Sequence, residues 1–179
     1  NYPLPDFPEV IFDCPKLESL ELVNTNIRTL PERLTLLPAL TAVRIYNPVT
    51  RRRIKLHTNN RVTTLVIRGD RPKNIPRKFR RYSALEVLDL SGNNLRRFPN
   101  GARHNPALRE LILRNNLLTL RGRLKKHPSV ETLALQHNAI RHVPRRIERF
   151  ENLTKLNFNY NPISSAHSSI GNLKKLEHL

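Results

Sequence analysis
A single cysteine, Cys14, stands among 179 residues, with no methionine, no tryptophan and only five glycines. One thiol excludes a disulfide framework within the chain and a cysteine-based structural zinc site. No stretch approaches the roughly 20 apolar residues that a helix needs to cross a bilayer, so no membrane span is expected. No glycine-rich loop able to cradle phosphates occurs. Methionine is missing even at position 1, which fits a fragment or a processed chain, and no signal or transit segment is recognisable. Acidic residues are scarce as well: 14 against 32 lysines and arginines, a formal charge of +18. Such a balance attracts anions, whether nucleic acid, acidic protein or a membrane surface, and composition does not choose among them.

What is present is a period. LEVLDLSGNNL (Leu85 to Leu95), LRELILRNNLL (Leu108 to Leu118), VETLALQHNAI (Val130 to Ile140) and LTKLNFNYNPI (Leu153 to Ile163) all fit L-x-x-L-x-L-x-x-N-x-L with conservative exchanges. The same register places repeat starts at Leu17, Leu40, Val62, Leu85, Leu108, Val130 and Leu153, 22 or 23 residues apart, with a truncated unit from Leu176 and a partial one over 1–16. The second half of the unit repeats too: FPEVIFDCPKL aligns with LPERLTLLPAL, so Phe7, Ile11 and Cys14 take the places of Leu30, Leu34 and Leu37. Cys14 is therefore expected to be a small buried hydrophobe. One departure is marked: the unit from Leu40 has Pro48 where asparagine belongs, and its RRRIKLHTNN stretch is expected to bulge.

These motifs resemble the leucine-rich-repeat family over essentially the whole chain. The 22–23-residue length and the Leu-Pro-like pair look most like the intracellular kind found in Ras-binding scaffolds, Scribble-type adaptors and bacterial effectors delivered into host cells. The resemblance implies an α/β repeat solenoid, a single leucine-rich-repeat domain over 1–179, with a parallel β-sheet on its concave face. It also implies a non-catalytic intracellular scaffold that binds protein through that face, without cofactor or metal. Oligomeric state stays open. Neither end shows a polar capping unit, so the natural protein is expected to be longer.

The physical reading reaches the same architecture. Leu88 and Leu90 lie two apart and so point to one face of a short strand. One unit cannot bury that face alone, so neighbours must stack. Seven units at about 4.8 Å per strand give a strand-lined face on the order of 34 Å long. Pro31, Pro76, Pro99 and Pro144 open the convex segments, where proline suits a short helix or a 3₁₀ turn. Asn93, Asn116, Asn138 and Asn161 form a column, with Asp70 and Thr25 in equivalent places. Their amides are expected to turn inward and satisfy backbone groups that would otherwise be buried without partners.

Counted over the outward strand positions, the concave face holds five basic and seven acidic residues, which leaves +20 for the rest of the chain. Tyr46, Arg68, Arg114, His137 and Tyr160 are the candidate protein contacts on that face. The cations recur in phase on the convex side: Arg51, Arg52 and Arg53; Arg77, Lys78, Arg80 and Arg81; Arg121, Arg123, Lys125 and Lys126; Arg145, Arg146 and Arg149. A solvated face is the plain explanation for them, and an acidic protein or RNA partner is the sharper one. Twenty-three of the 32 cations are arginine, which suits bidentate phosphate contacts. Phe79, Tyr82, Phe98 and Phe150 are assigned to the core, so few rings remain for base stacking, and backbone contact is the mode left open. An RNA-associated subunit docked through the convex face is thus the alternative function. Catalysis is poorly supported. Asp89, Ser91 and His137 share a face but span two strands, on the order of 10 Å, where a nucleophile and base need roughly 3 Å. His104, His127 and His142 fall on the convex side without clustered carboxylates.

Overall fold
The computed structural model describes residues 7–27, 29–47, 61–69 and 82–179. The expected bulge after Pro48, the cations Arg51, Arg52, Arg53, Arg77, Lys78, Arg80 and Arg81, and Asp70, Pro76 and Phe79 lie outside the described residues.

Alternating apolar residues at each repeat start form β1 (Ser19–Val23), β2 (Ala42–Tyr46), β3 (Thr64–Arg68), β4 (Val87–Asp89), β5 (Glu110–Ile112), β6 (Thr132–Ala134) and β8 (Lys155–Asn157). They pair in chain order into one seven-stranded parallel sheet. Its register follows the repeat: Leu20, Val43, Leu65, Leu88, Leu111, Leu133 and Leu156 stand opposite one another across all seven strands. All seven are buried, as is the next inward row of Leu22, Ile45, Ile67, Leu90, Leu113 and Leu135. Full burial of one such side chain contributes about 1.5–3 kcal/mol, and the stack supplies it once per unit and row. An isolated bridge between Lys155 and His178 starts the next strand.

The return segments are 3₁₀ turns, at Glu9–Asp13, Glu32–Leu36, Asn100–His104, Arg145–Arg149 and Ser168–Asn172. Pro8, Pro31, Pro99 and Pro144 stand immediately before four of them. A short second sheet, β7 (His142–Val143) with β9 (Ser165–Ala166), runs beside the main one, which the repeat pattern did not suggest.

The asparagine column turns inward and joins the units. Asn116 donates through Nδ2 to the Leu90 carbonyl of the preceding unit at 3.0 Å and to its own Leu113 carbonyl at 3.0 Å. Its Oδ1 accepts from the Asn93 and Leu95 amides of the preceding unit at 3.1 and 2.9 Å. Asn138 bonds the Leu113 and Leu135 carbonyls, both at 2.9 Å, and accepts from Leu118 N–H at 3.0 Å. Asn161 repeats the arrangement with Leu135, Phe158 and Ile140. Asn93 donates to Ile67 and Leu90 carbonyls at 2.6 and 2.8 Å.

Two sequence expectations require correction. Cys14 is exposed rather than buried. Its register partner Leu37 is buried because units stack on both sides of it, whereas Cys14 belongs to the first described unit and is covered from one side only among the described residues. His127 does belong to a convex segment, but its side chain lies inside the core and is fully buried. Its ring stacks on Phe150 at 4.9 Å, with Phe98 edge-on at 5.3 Å, and Nδ1 meets the Lys125 carbonyl at 2.9 Å. Burial pushes the imidazolium pKa down, the Lys125 carbonyl opposes this, and Arg103 and His104 add to the lowering.

Two measurements follow from this packing. Asn116→Leu strands the Asn93 and Leu95 amides, while the Leu90 and Leu113 carbonyls keep Asn93 and Asn138 as donors, and is expected to lower unfolding stability by about 1–3 kcal/mol in urea titration; an unchanged midpoint contradicts the bracing role. His127 has a folded pKa below its unfolded value of about 6.5, so the stability of the neutral ring is complete above that pH and drains away below it. Relative to His127→Phe, the wild type should therefore lose up to about 1.4 kcal/mol per pH unit between 6.5 and the folded pKa. A stability difference constant from pH 7.5 to 5.5 would show that the ring is not held neutral.

Candidate functional site
To aim each ladder asparagine inward, the chain must turn sharply straight after the strand. One residue per unit makes that turn with positive φ: Asn24 (55°), Asn47 (47°), Gly69 (149°), Gly92 (64°), Asn115 (52°), His137 (53°) and Tyr160 (59°). Glycine reaches this region freely and asparagine and histidine at modest cost, whereas a bulky side chain such as tyrosine is strained there. Five units use the easy residues. The last two described units place rings instead.

Those rings meet. His137 and Tyr160 stack face to face, with centroids 4.2 Å apart and planes 4° apart. The backbone below is tied, since His137 N–H donates to the Asn159 carbonyl at 3.0 Å. Tyr160 is 75% exposed, the most open aromatic side chain among the described residues. The pair is thus a rigid aromatic platform at the edge of the concave sheet, held at the expense of backbone strain.

A second cluster lies at the other end of the sheet. Tyr46 and Arg68 are register partners on β2 and β3. The Arg68 guanidinium sits 6.0 Å from the Tyr46 ring centroid and makes an ion pair with Asp89. Hydrogen bonding to Asp89 raises the Arg68 pKa against the opposing effect of burial. Asp89 also accepts the Ser91 N–H at 2.8 Å. Arg114 lies between the two clusters in the same register as Arg68 and is exposed. The concave surface is narrower than the outward strand positions imply. Ala42, Val66, Asp89, Ser91 and Ala134 are all buried, because on a sheet with closely spaced strands long neighbours close over short side chains.

The residues weighed as a triad are not brought together. The Asp89 carboxylate is engaged by Arg68, Ser91 is buried, His137 stacks on Tyr160, and β5 separates β4 from β6. No group of three or more potential metal ligands occurs among the described residues. None of their helices is long and apolar enough to cross a membrane.

On the convex side, Arg121, Arg123, Lys126, Arg145 and Arg146 are exposed, and Lys125 and Arg149 are half-buried. Lys126 pairs with Glu151 at 2.8 Å and Arg145 with Glu148 at 3.7 Å. Arg149 donates to the Leu124 carbonyl at 3.0 Å. Arg121, Arg123, Lys125 and Arg146 have no carboxylate at ion-pair distance among the described residues. The crowding is felt electrostatically: Arg123 lowers the Lys125 pKa most, followed by burial, Arg103 and Arg149.

Sequence reasoning named His137 and Tyr160 but missed their strained turn, and it missed Asp89 as the buried partner of Arg68. The turn had left a signal. Gly92-Asn93 and Asn115-Asn116 put a residue tolerant of positive φ directly before the ladder asparagine, and His137 and Tyr160 interrupt that habit.

Comparison with known proteins agrees with this geometry. Residues 60–118 match the family model described as "Leucine rich repeat". A Leptospira interrogans leucine-rich-repeat protein shares 22% identity over 100% of this chain and 40% of its own, with a TM-score of 0.64. TLR13, solved in complex with ssRNA13, shares 23% over 94% of this chain and 25% of its own, at a TM-score of 0.70. The leucine-rich-repeat domain of the type III effector XopL shares 24% over 96% and 54%, at 0.57. The chain spans between a quarter and about half the length of these proteins. With its 22–23-residue period, parallel sheet and asparagine ladder, the chain has the fold of a leucine-rich-repeat solenoid, and residues 60–118 match the family itself.

Proposed function
We propose that this solenoid is a non-catalytic scaffold that recognises a protein partner through its concave face, inside a cell. The observation that carries the reading is the His137–Tyr160 stack. Strained, exposed aromatic rings contribute nothing to the core, and backbone strain of this kind is maintained at sites where side-chain placement matters. Rigid aromatics and arginine are also the residues that dominate binding energy at protein interfaces. Tyr160 and His137 would anchor the partner, with Arg114 beside them as a cation that no described carboxylate neutralises. Tyr46 and Arg68 would extend the contact across the sheet, with Arg68 fixed in direction by Asp89.

A second reading is favoured by one observation: Arg121, Arg123, Lys125 and Arg146 share the convex side with no carboxylate at ion-pair distance among the described residues. Cations held this close are stabilised by an anionic partner, and docking of RNA on the convex rows would supply one. The TLR13 structure contains RNA, although at 23% identity it is similar to this chain in fold only.

Tyr160→Gly tests the first reading cleanly, because it removes the ring while relieving the strained φ. Combined with Arg114→Glu, it is expected to weaken capture of the partner by about 30-fold or more, equivalent to roughly 2 kcal/mol. The melting temperature should be unchanged or slightly raised. Quantitative pull-down, with the recovered partner titrated against purified variants, reads the effect. Loss of that partner on convex charge reversal, with the concave double variant still binding, would overturn the assignment.

A further inference from the structure
The unit that starts at Leu108 differs from its neighbours on the convex side. The preceding and following units turn there in 3₁₀ helices at Asn100–His104 and Arg145–Arg149, after Pro99 and Pro144. Between Leu118 and His127 there is no proline and no helical turn. Leu120, although buried, adopts φ of 53°, and at Gly122 a side chain would meet nothing within 4 Å. Where a helical turn would fill the space, a groove of about 510 Å³ opens against the next unit. Arg121, Arg145, Arg146, Arg149 and His142 line it, with Glu148 as the one carboxylate.

The walls are fixed from both sides. Asn100 donates to the Arg123 carbonyl and accepts from the Lys125 N–H, both at 2.9 Å. Arg149 reaches across to the Leu124 carbonyl at 3.0 Å, and His142 Nδ1 is held by Ser165 Oγ at 2.7 Å. The extended segment is therefore a braced ridge that carries Arg121, Arg123 and Lys125.

The chemistry of the groove selects its occupant. Four arginines line the groove with one carboxylate, Glu148, which pairs with Arg145; the surplus of positive charge calls for an anion with several charges, and planar guanidinium forks match phosphate oxygens. Cations continue past the groove through Arg123, Lys125 and Arg103, so a chain of phosphates satisfies more of them than a single ion would. No Phe, Tyr or Trp lines the groove, and its one ring, His142, is tied through Nδ1 to Ser165, so a run of bases finds no stacking platform there. A protein partner would need an apolar patch to form the interface core, and none of the large exposed hydrophobic residues lies in the groove.

We propose that this groove is a phosphate-binding site that seats the phosphodiester backbone of a nucleic-acid strand without reading its sequence. The proposal rests on the second reading above and is independent of the concave one.

Fluorescence anisotropy with a labelled 20-nucleotide RNA of mixed sequence, and with DNA of the same sequence, tests it at 50 and 200 mM salt. The wild type is expected to bind both, more weakly at the higher salt. R121E/R146E is expected to lose at least 10-fold in affinity at 50 mM salt. K174E/K175E makes the same charge change outside the groove and should lose under 3-fold. Thermal melting confirms that each variant is folded; should the first pair unfold, R121Q/R146Q keeps the test, with a loss of about 4-fold expected. Equal losses from both pairs would overturn the site while leaving diffuse RNA docking standing. Absence of wild-type binding at 50 mM salt would overturn both. Displacement of the RNA by poly-glutamate at equal charge concentration would reassign the groove to an acidic protein. RNA bound at least 10-fold more tightly than DNA would replace a purely phosphodiester contact with one that uses the 2′-hydroxyl.

Discussion
The asparagine ladder is the constraint on which the other features depend. Every unit must bend from strand into return segment inside the stack, where water cannot satisfy the backbone. Asn116 resolves this by donating to a carbonyl of its own unit and one of the unit before, while accepting two amides of the preceding turn. The bond set is intra-unit and inter-unit at once, so the bend cannot form correctly in isolation. Folding of one unit and its docking to the next are thereby the same event, the nearest-neighbour coupling expected of a solenoid.

The ladder also explains where binding chemistry can be placed. An inward asparagine demands a left-handed residue immediately before it, and that residue necessarily points away from the core at the edge of the concave sheet. Asn24, Asn47, Gly92 and Asn115 meet the demand at little cost. His137 meets it as asparagine does and Tyr160 at greater cost, and together they present two exposed, stacked rings. Strain at the turn and rigidity of the platform are one property of the fold, because the ring pair borrows its orientation from a backbone already held by the ladder.

Much of the fold was legible in the sequence, because period, strand face and ladder all depend on side-chain identity at fixed spacing. Leu20 through Leu156 and Asn93 through Asn161 could be aligned from the letters alone. The candidate concave residues were legible as a face, but not as two clusters. The burial of Asp89 under Arg68 depends on which neighbour is long enough to cover it. The exposure of Cys14 depends on how many units flank it, and register alone does not carry that information. The groove beside Leu120 was hidden for a different reason. It arises from a missing proline and a missing turn, and an absent element has no letter pattern of its own.

The two faces differ in charge for a geometric reason. On the sheet, residues in one register lie about 4.8 Å apart, a distance at which like charges opposite each other destabilise the pair. Each described column obeys this. Glu21 faces Arg44 across the β1–β2 pair, and Arg44 faces Val66 across β2–β3. Glu86, Arg109 and Glu131 alternate along the units, with Arg109 and Glu131 3.8 Å apart, and Ser91 stands in register between Arg68 and Arg114. The sheet therefore forces mixed signs and a net charge near zero. The convex segments are not locked to a strand register, so the same repeat can stack cations there. Lys125 shows that the stacking still has a cost, since Arg123, Arg103 and Arg149 all lower its pKa. That cost is tolerable on a face whose partner is anionic, and a positively charged groove braced by Asn100 and Arg149 is the place on this molecule where such a partner would relieve it most.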